Sequence, residues 1–389
     1  MLKDARSQRL EAALGTIGRL DADLAALRAQ GQFRDLSSPQ GIQFCSNDYL
    51  GLASHARLKA AIKRSVDEES QVCSTGSRLL SGNSERWERL EAAFAEFLAV
   101  EASLYFPAGY AANVGLLSSL LRPNDTVFSD SANHASLIDG IRLSHANRVI
   151  FPHLDFNYLE EAMRRGGGGG ERFVVVESVF SMDGDRTPIR ELVTLCERYD
   201  AALIVDEAHT TGVEGPQGRG LVHALGRSDC ILATIHTCGK ALASMGAFVA
   251  GSRTLRDFLI NRARPFIYTT ALPPYCAAQV QEALNLAALA YNERSHLSAL
   301  SRQLRQRMQA AGVDTLRSDS QIIPLVLGSN ERAVGFAAAM TNAGFAVRAL
   351  RPPTVPPGTA RLRISLTANL TIGDVDAFAD ALLRVCETF

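Results

Sequence analysis

The chain has 389 residues, of which 47% are hydrophobic and 21% are charged, and its formal net charge is −1. This length exceeds what one small core needs, so we expect about two domains with a large buried interior. The balanced charge argues against nucleic acid as a partner and against binding to a membrane surface.

The N-terminal segment, MLKDARSQRLEAALGTIGRLDADL, carries a charged residue every few positions. This pattern predicts an amphipathic helix rather than a secretory signal, and no later segment has the ~18 apolar residues that span a bilayer. The seven cysteines are odd in number and never spaced as CxxC, which argues against a disulfide framework and a zinc site. We therefore expect a cytoplasmic protein without a structural metal.

Short apolar runs alternate with helical patterns between about residues 100 and 250. The runs lie at 103–106, 126–128, 148–151, 172–177, 202–205 and 230–235. They are continuously apolar, as strands covered on both faces are. This alternation predicts an α/β fold whose large domain is a mostly parallel sheet wrapped by helices.

The pattern changes beyond about residue 280. A long helix rich in Ala, Leu and Arg leads into the strand-like runs QIIPLVLG, FAVRAL and ARLRISLT, with further helices between and after them. This mixture predicts a small α+β domain. We therefore divide the chain into an N-terminal helix and segment at 1–47, a large domain at 48–280 and a small C-terminal domain at 281–389.

Polar residues follow several of the predicted strands, where open α/β sheets place their sites. They are Gly109 and Tyr110, His134, Ser181, Asp206 and His209, and Lys240. Taken singly, each has an ordinary structural explanation, because a lone His is more often a satisfied structural residue and an Asp after a strand is often a helix cap. Their shared position at strand ends is the stronger signal of a site.

Lys240 stands among small and apolar residues in ATIHTCGKALASMGAFVAG (233–251). Most lysines are solvated because burial of an unpaired ammonium is costly, so a lysine here needs a reason. Pyridoxal phosphate provides one, since a desolvated lysine amine can bond its aldehyde. Asp206 suits the ring nitrogen of this cofactor, and the helix start at Gly109 and Tyr110 suits its phosphate.

Three other classes of protein are less consistent with the sequence. VDEAH at 205–209 matches a helicase signature, but the sequence has no GxxxxGK[ST] phosphate loop upstream. A nicotinamide oxidoreductase needs GxGxxG between a first strand and helix, which the sequence also lacks. A noncatalytic scaffold would leave the polar residues at the strand ends unexplained.

Seven segments run in order along nearly the whole chain: SNDYLGLA (46–53), GYAAN (109–113), NHAS (133–136), ESVFSMDGD (177–185), VDEAHTTGVEGPQGRG (205–220), HTCGKAL (236–242) and RPPTVPPGTARLRISLTA (351–368). Together they resemble the α-oxoamine synthase family of fold-type-I pyridoxal phosphate enzymes. The resemblance implies the aspartate-aminotransferase fold. It also implies a homodimer whose active sites are shared between the subunits.

The resemblance implies roles around the cofactor for five residues. Lys240 would form the Schiff base with the cofactor, and Asp206 would pair with the ring nitrogen. His209 and Ser181 would hydrogen-bond near the phenolic oxygen. His134 would stack on the ring and help to position the substrate.

The resemblance also implies which residues bind the phosphate of the cofactor. Gly109, Tyr110 and Thr237 would hold it from within the subunit. Thr269 or Thr270 of IYTTALPP would reach in from the neighbouring subunit.

The substrate residues implied by the resemblance come from the two ends of the chain. Asn47 and Arg363 would hold the carboxylate of an amino acid, where Arg gives a bidentate grip. Arg361, on the same face of its strand, is the less favoured candidate. Arg34 and Thr354 would contact the acyl substrate, which makes 1–47 the acyl-substrate segment and 48–280 the cofactor domain.

Within the family, the segment at 351–368 is most similar to members that condense L-alanine with a pimeloyl thioester in biotin biosynthesis. The acyl group would arrive on coenzyme A or on an acyl carrier protein. The loop VCSTGSRLLSGN (72–83) resembles instead relatives that use glycine or serine. Aminoketobutyrate ligase, aminolevulinate synthase and serine palmitoyltransferase activities therefore remain alternatives, and Cys238 beside Thr237 has no explanation from the sequence.

Overall fold

The computed structural model describes residues 2–166, 169–226 and 231–389, with side chains from residue 15 onward. The helices are α1 (Leu2–Ala29), α2 (Ala56–Glu68), α3 (Glu85–Leu98), α4 (Gly109–Leu120), α5 (Ala135–Ser144), α6 (Phe156–Arg165), α7 (Ile189–Arg198), α8 (Leu221–Ala224), α9 (Arg253–Arg262), α10 (Arg264–Ile267), α11 (Pro274–Leu289), α12 (Tyr291–Ala310), α13 (Asn330–Asn342) and α14 (Ile372–Cys386). The strands are β1 (Ile42–Gln43), β2 (Ala102–Phe106), β3 (Thr126–Asp130), β4 (Asn147–Phe151), β5 (Arg172–Glu177), β6 (Ala201–Asp206), β7 (Ala233–Thr237), β8 (Ala247–Gly251), β9 (Ile322–Gly328), β10 (Phe345–Ala346), β11 (Arg348–Leu350) and β12 (Ala360–Ser365).

The large sheet has seven strands within the described residues, in the order β2-β8-β7-β6-β5-β3-β4. Strands β3 to β7 pair in parallel, whereas β8 runs antiparallel to both of its neighbours. The predicted α/β class with a mostly parallel sheet is therefore confirmed. The sequence pattern did not separate β8 from the strand before it, because a short turn joins two runs of similar composition. It also started β7 at residue 230, which lies outside the described residues.

Both faces of the large sheet are covered, as the continuously apolar strands predicted. In β5, Phe173 and Val175 belong to the core on one face, with Leu116 of α4. Val174 and Val176 belong to the core on the other face, with Leu192 of α7. Because successive side chains of a strand point to opposite faces, a strand between two helical layers buries both sets of side chains, which favours apolar residues along its length.

The C-terminal part forms a smaller antiparallel sheet in the order β11-β12-β9. The long predicted helix is two helices, α11 and α12, which meet at Ala290. The segment before residue 48 joins this part, because Ile42 of β1 pairs with Phe345 of β10. Phe44 also stacks on Phe378, with ring centroids 3.9 Å apart. The bounds at 47 and 280 stay predictions.

Across the described part of the chain, no helix combines the length and the apolar character needed to cross a bilayer. Within the same residues, no cluster of His, Cys, Asp or Glu side chains is suited to hold a metal ion.

Candidate active site

Lys240 lies in the turn that joins β7 to β8, beside the carboxyl end of β6. The turn is closed by the amide of Cys238, which donates to the carbonyl of Gly246 at 2.9 Å. The amide of Ser244 donates back to the carbonyl of Cys238 at 2.9 Å. The Lys240 amine, Nζ, lies 2.8 Å from Nε2 of His209. Two antiparallel strands therefore hold the lysine at the edge where the parallel strands end.

The surroundings of Lys240 make its amine easier to deprotonate than that of an exposed lysine. Burial lowers its pKa to about 8, although the carboxylates of Asp206 and Glu177 oppose this shift. Burial also lowers the pKa of His209 well below its ordinary value, and the charge of Lys240 lowers it further. His209 is therefore neutral near pH 7. Its ring faces the amine of Lys240, which loses its proton more readily than an exposed lysine does.

Asp206 ends β6 and is 5% exposed. Its Oδ2 accepts a hydrogen bond from Nδ2 of Asn113 at 2.8 Å, and its Oδ1 accepts one from the amide of Ala208 at 2.9 Å. Asn113 also donates to the hydroxyl of Ser136 at 2.9 Å, and this hydroxyl lies 2.7 Å from Nδ1 of His134. One hydrogen-bonded network therefore connects Asp206 with His134 at the start of α5.

Glu177 is a second buried carboxyl group, in register with Asp206 on the neighbouring strand. Its Oε2 accepts from the amide of Ser181 at 3.2 Å, while its Oε1 has no partner within the described residues. Burial raises the pKa of Glu177, and the charge of Asp206 raises it further. This part of the site therefore contains an unsatisfied polar atom, which a native interior rarely leaves without a use.

Arg363 comes from β12 of the small sheet. Its Nε donates to the carbonyl of Ser181, and its NH1 group donates to Oδ1 of Asn47 at 3.0 Å. Its NH2 group lies 3.3 Å from the hydroxyl of Tyr49, which lies 2.7 Å from Nδ1 of His209. A continuous chain of contacts therefore leads from the guanidinium of Arg363 to the amine of Lys240.

The N-terminus of α4 lies next to β7. No side chain of the described residues caps this helix end. A Cβ atom built on Gly109 would lie 3.3 Å from Oγ1 of Thr237, so glycine allows the two segments to approach closely. The same Oγ1 accepts from the amide of Gly239 at 3.4 Å. Tyr110 is half exposed and donates to Asp139. Uncapped amides and a hydroxyl make this position suited to an anion.

The other predicted residues lie elsewhere in the chain. Thr269 and Thr270 are exposed, and Thr270 bridges to Ser77 of the loop at 72–83. Arg34 donates to the carbonyl of Pro352 at 3.1 Å, which places it against the segment that carries the exposed Thr354.

Arg361 differs from Arg363 although it lies two residues earlier on the same strand. Its NH1 group forms an ion pair with Asp183 rather than contacting Asn47. The sequence-based preference for Arg363 over Arg361 as the carboxylate-binding residue stays a prediction.

Residue-by-residue reasoning from the sequence missed four residues of this region: Tyr49, Asn113, Glu177 and Gln321. The first three lie inside SNDYLGLA, GYAAN and ESVFSMDGD, so the motifs contained them without marking their contacts. Gln321 donates to the carbonyl of His209 at 2.9 Å and comes from the strand-like run of the small sheet. No local signal distinguishes it.

Cys238 is the neighbour of Thr237 that the sequence left unexplained. It is fully buried and belongs to the core with Ala241 and Leu242. Burial raises the pKa of its thiol well above the ordinary value, so it stays protonated. Cys238 therefore acts as a small apolar residue beneath the turn that carries Lys240.

These residues fit pyridoxal phosphate. The fit rests on a buried amine, a hydrogen-bonded carboxylate and an uncapped helix start with a hydroxyl beside it, all at one edge of the sheet. A site of this kind on this α/β fold defines the class of fold-type-I pyridoxal phosphate enzymes.

The chain belongs to the aminotransferase class I and II family, whose model matches residues 39–382, and within it to the α-oxoamine synthases. It is 42% identical to the 8-amino-7-oxononanoate synthase of Anaeromyxobacter dehalogenans, over 96% of each chain. It is 43% identical to a putative 8-amino-7-oxononanoate synthase of Geobacillus kaustophilus, over 92% of each. The chain is thus a pyridoxal-phosphate-dependent acyltransferase.

Solved structures agree with the fold. The serine palmitoyltransferase of Sphingomonas wittichii superimposes with a TM-score of 0.88 at 30% identity, covering 96% of this chain and 98% of that one. The 8-amino-7-oxononanoate synthase of Francisella tularensis superimposes with a TM-score of 0.78 at 28% identity, covering 90% and 98%. The fold-type-I prediction is therefore confirmed.

Proposed function

We propose that this protein condenses L-alanine with a pimeloyl thioester, with loss of carbon dioxide, to give 8-amino-7-oxononanoate and a free thiol. The names of the curated relatives support this reaction, since they share over 40% of their residues with nearly the whole chain. The observation that carries the proposal is the chain of contacts from Lys240 through His209 and Tyr49 to Arg363. These contacts join Lys240, which we propose as the reactive amine, to Arg363, which we propose as the group that binds the carboxylate, and they support one shared site for both.

When bound, pyridoxal phosphate supplies an aldehyde for an amine and a protonated ring that accepts electron density from the α-carbon of the amino acid. Asp206 would keep the ring nitrogen protonated, because a carboxylate held by Asn113 and by the amide of Ala208 is oriented before the cofactor arrives. The start of α4 at Gly109 and Tyr110, with Thr237, would hold the phosphate. His134, Ser181 and His209 would contact the ring.

Lys240 would act twice through its amine. Its Nζ would hold the cofactor through the aldehyde, and the same amine, when free, would take the α-proton of the amino acid. A pKa lowered to about 8 leaves part of the amine neutral at physiological pH, which both steps require.

Arg363 and Asn47 would hold the carboxylate of the amino acid. Their contact at 3.0 Å, together with the carbonyl of Ser181 behind Nε, limits the directions in which the guanidinium can point. A bidentate grip of this kind fixes which bond of the α-carbon is aligned with the ring. Arg34 and Thr354 would meet the acyl donor beyond it.

We also propose a homodimer with shared sites. Four large apolar side chains of the loop at 72–83 and the adjoining segment are at least half exposed: Val72, Leu79, Leu80 and Tyr268. Thr270 bridges to Ser77 of this loop, so a second copy that covered these side chains would carry Thr269 or Thr270 towards a neighbouring phosphate. Size-exclusion chromatography with light scattering would test this, and a monomer in the active preparation would refute it. The cytoplasmic location stays a prediction.

A sister activity with serine or glycine is the second candidate. It is favoured by the loop at 72–83 and by the close superposition with the serine palmitoyltransferase, whose TM-score of 0.88 exceeds that of the Francisella enzyme.

One assay separates the two candidates. Thiol release from pimeloyl-coenzyme A and from pimeloyl-acyl carrier protein is followed with alanine, glycine or serine as the second substrate. The proposal expects the largest kcat/KM with alanine. Turnover with glycine or serine and none with alanine would assign the sister activity, and borohydride that left no pyridoxyl adduct on Lys240 would remove the cofactor from both.

A further inference from the structure

His153 lies after β4, outside the groups assigned above, and faces two carboxylates. Its Nδ1 lies 2.9 Å from Oδ1 of Asp130, and its Nε2 lies 2.8 Å from Oδ2 of Asp185. A neutral imidazole has one N–H, whereas an ionised carboxylate can only accept. When the carboxylates of Asp130 and Asp185 are both ionised, each ring nitrogen of His153 must therefore carry a proton.

Asp130 is fixed as an acceptor by its other contacts. Its Oδ1 also accepts from the amide of Ala132 at 2.8 Å, and its Oδ2 accepts from the amide of Leu154 at 2.9 Å. The carbonyl of Asp130 accepts from the amide of Asn133. Asp130 therefore shapes the turn at 130–134, here named the His134 turn because it ends at that residue.

Asp185 belongs to the segment at 178–187, here named the Ser181 loop. Its carbonyl accepts from the amide of Phe180 at 3.0 Å, which closes a tight turn around Ser181. The ring of Phe180 packs edge-on against His153, with centroids 4.4 Å apart. His153 thus contacts both ends of the turn whose Ser181 carbonyl accepts from Nε of Arg363.

We propose that His153 is a positioning residue whose imidazolium joins the His134 turn to the Ser181 loop and thereby aims Arg363 at the carboxylate of the amino acid. This inference rests on the proposed role of Arg363. His153 touches neither substrate nor cofactor in it. Its effect on Arg363 passes through Asp185 and the Ser181 carbonyl.

The electrostatics agree with this geometry. Burial by itself lowers the pKa of His153, but the hydrogen bonds and charges of Asp130 and Asp185 outweigh it, and the result is a pKa of about 10. The bridge therefore stays charged over the range in which Lys240 loses its proton. Such a bridge holds the two loops at a constant separation while the catalytic amine titrates.

The variant His153→Gln tests the inference, because an uncharged amide cannot serve two carboxylates on opposite sides. We expect it to weaken amino-acid binding by about fivefold or more, with the KM for the acyl thioester within about twofold and cofactor content unchanged. Binding is measured from the visible spectrum of the cofactor-loaded protein, titrated with alanine, glycine and serine. The matched control is His296→Gln, which removes a partly buried histidine whose Nε2 lies 2.8 Å from the carbonyl of Leu370.

Two results would overturn the inference. One is amino-acid affinity in His153→Gln within about twofold of the unchanged protein. The other is equal weakening of both substrates together with loss of cofactor, which marks a purely structural role.

A second measurement does not depend on the variant being well folded or on the proposed function. In protein labelled with ¹⁵N-histidine, the His153 signal at about pH 8 is expected to show two protonated ring nitrogens. A signal that titrates near the ordinary value would overturn the charged bridge. Failure of the unchanged protein to bind any amino acid would instead refute the proposed function and leave this result standing.

Discussion

The large sheet and the small sheet contribute different parts of the candidate site, and they hold them in different ways. Asp206 ends β6, and Lys240 follows the paired strand β7, so hydrogen bonds between parallel strands bring them to one edge. Arg363 instead lies inside β12, and the contacts of its guanidinium are with the side chains of Asn47 and Tyr49 and with the carbonyl of Ser181. The first part is positioned by backbone pairing, and the second by contacts with segments that are distant in the chain.

The two arginines of β12 show how much depends on those contacts. Arg361 and Arg363 are both nearly buried and share a strand face. An ion pair with Asp183 occupies Arg361, whereas Arg363 donates to the side-chain oxygen of Asn47. Strand position alone would make the two residues equivalent.

The largest expected effect on activity comes from Lys240, which strand pairing in the large sheet positions. Lys240→Ala removes the amine that bonds the cofactor and accepts the α-proton, so we expect at least about a thousandfold loss of kcat. The protein should retain its fold, measured by circular dichroism, because the alanine leaves the turn at Cys238–Gly246 closed. Lys63→Ala, on the exposed face of α2, is the control. Activity above a tenth of the unchanged value would contradict the assignment.

A smaller effect on activity is expected from substitution of Arg363, the residue that the small sheet contributes. Arg363→Lys replaces a planar fork by a point charge, so we expect the KM for the amino acid to rise by about ten- to a hundredfold. Arg361→Lys serves as the matched control and should change this KM by less than about threefold, because it keeps a positive charge beside Asp183 of the Ser181 loop. Equal effects of the two substitutions would show that the different partners of Arg361 and Arg363 do not determine which arginine binds the amino acid.

The rate of cofactor binding to Lys240 should change by about tenfold per pH unit below the pKa of its amine. Because burial lowers the pKa of Lys240 to about 8, the rate at which the apo-protein bonds pyridoxal phosphate should rise with pH up to that value and then level off. An exposed lysine would continue to rise to about pH 10.4. The rate is followed by visible absorbance in stopped flow. A rise that persisted beyond pH 9 would mean that the amine is not desolvated as the geometry indicates.

The smallest effect is expected at the edge of the site. Arg34 is exposed and bound to a backbone carbonyl, so Arg34→Ala should raise the KM for the acyl thioester by only about threefold and leave the amino-acid KM unchanged. Steady-state kinetics with each substrate varied in turn measures both values. A change confined to the amino acid would place Arg34 on the wrong side of the site.

Much of the fold followed from the sequence, because buried parallel strands need unbroken apolar runs and the chain shows them in order. The missed elements have physical reasons. Strand β8 follows β7 after a nine-residue turn whose composition resembles both strands, and α11 and α12 differ in direction at Ala290 without a proline or glycine to mark the break.

The sequence by itself determined the chemistry at the strand ends: the amine of Lys240, the carboxylate of Asp206 and the helix start at Gly109. Polar residues that directly follow buried parallel strands lie at the edge of the sheet where those strands end. Only the tertiary structure decided that Arg361 pairs with Asp183 while Arg363 contacts Asn47, that Cys238 is a core residue, and that His153 links the His134 turn to the Ser181 loop. Those outcomes depend on contacts between residues far apart in the chain, and no local pattern of composition or spacing encodes a distance between two side chains.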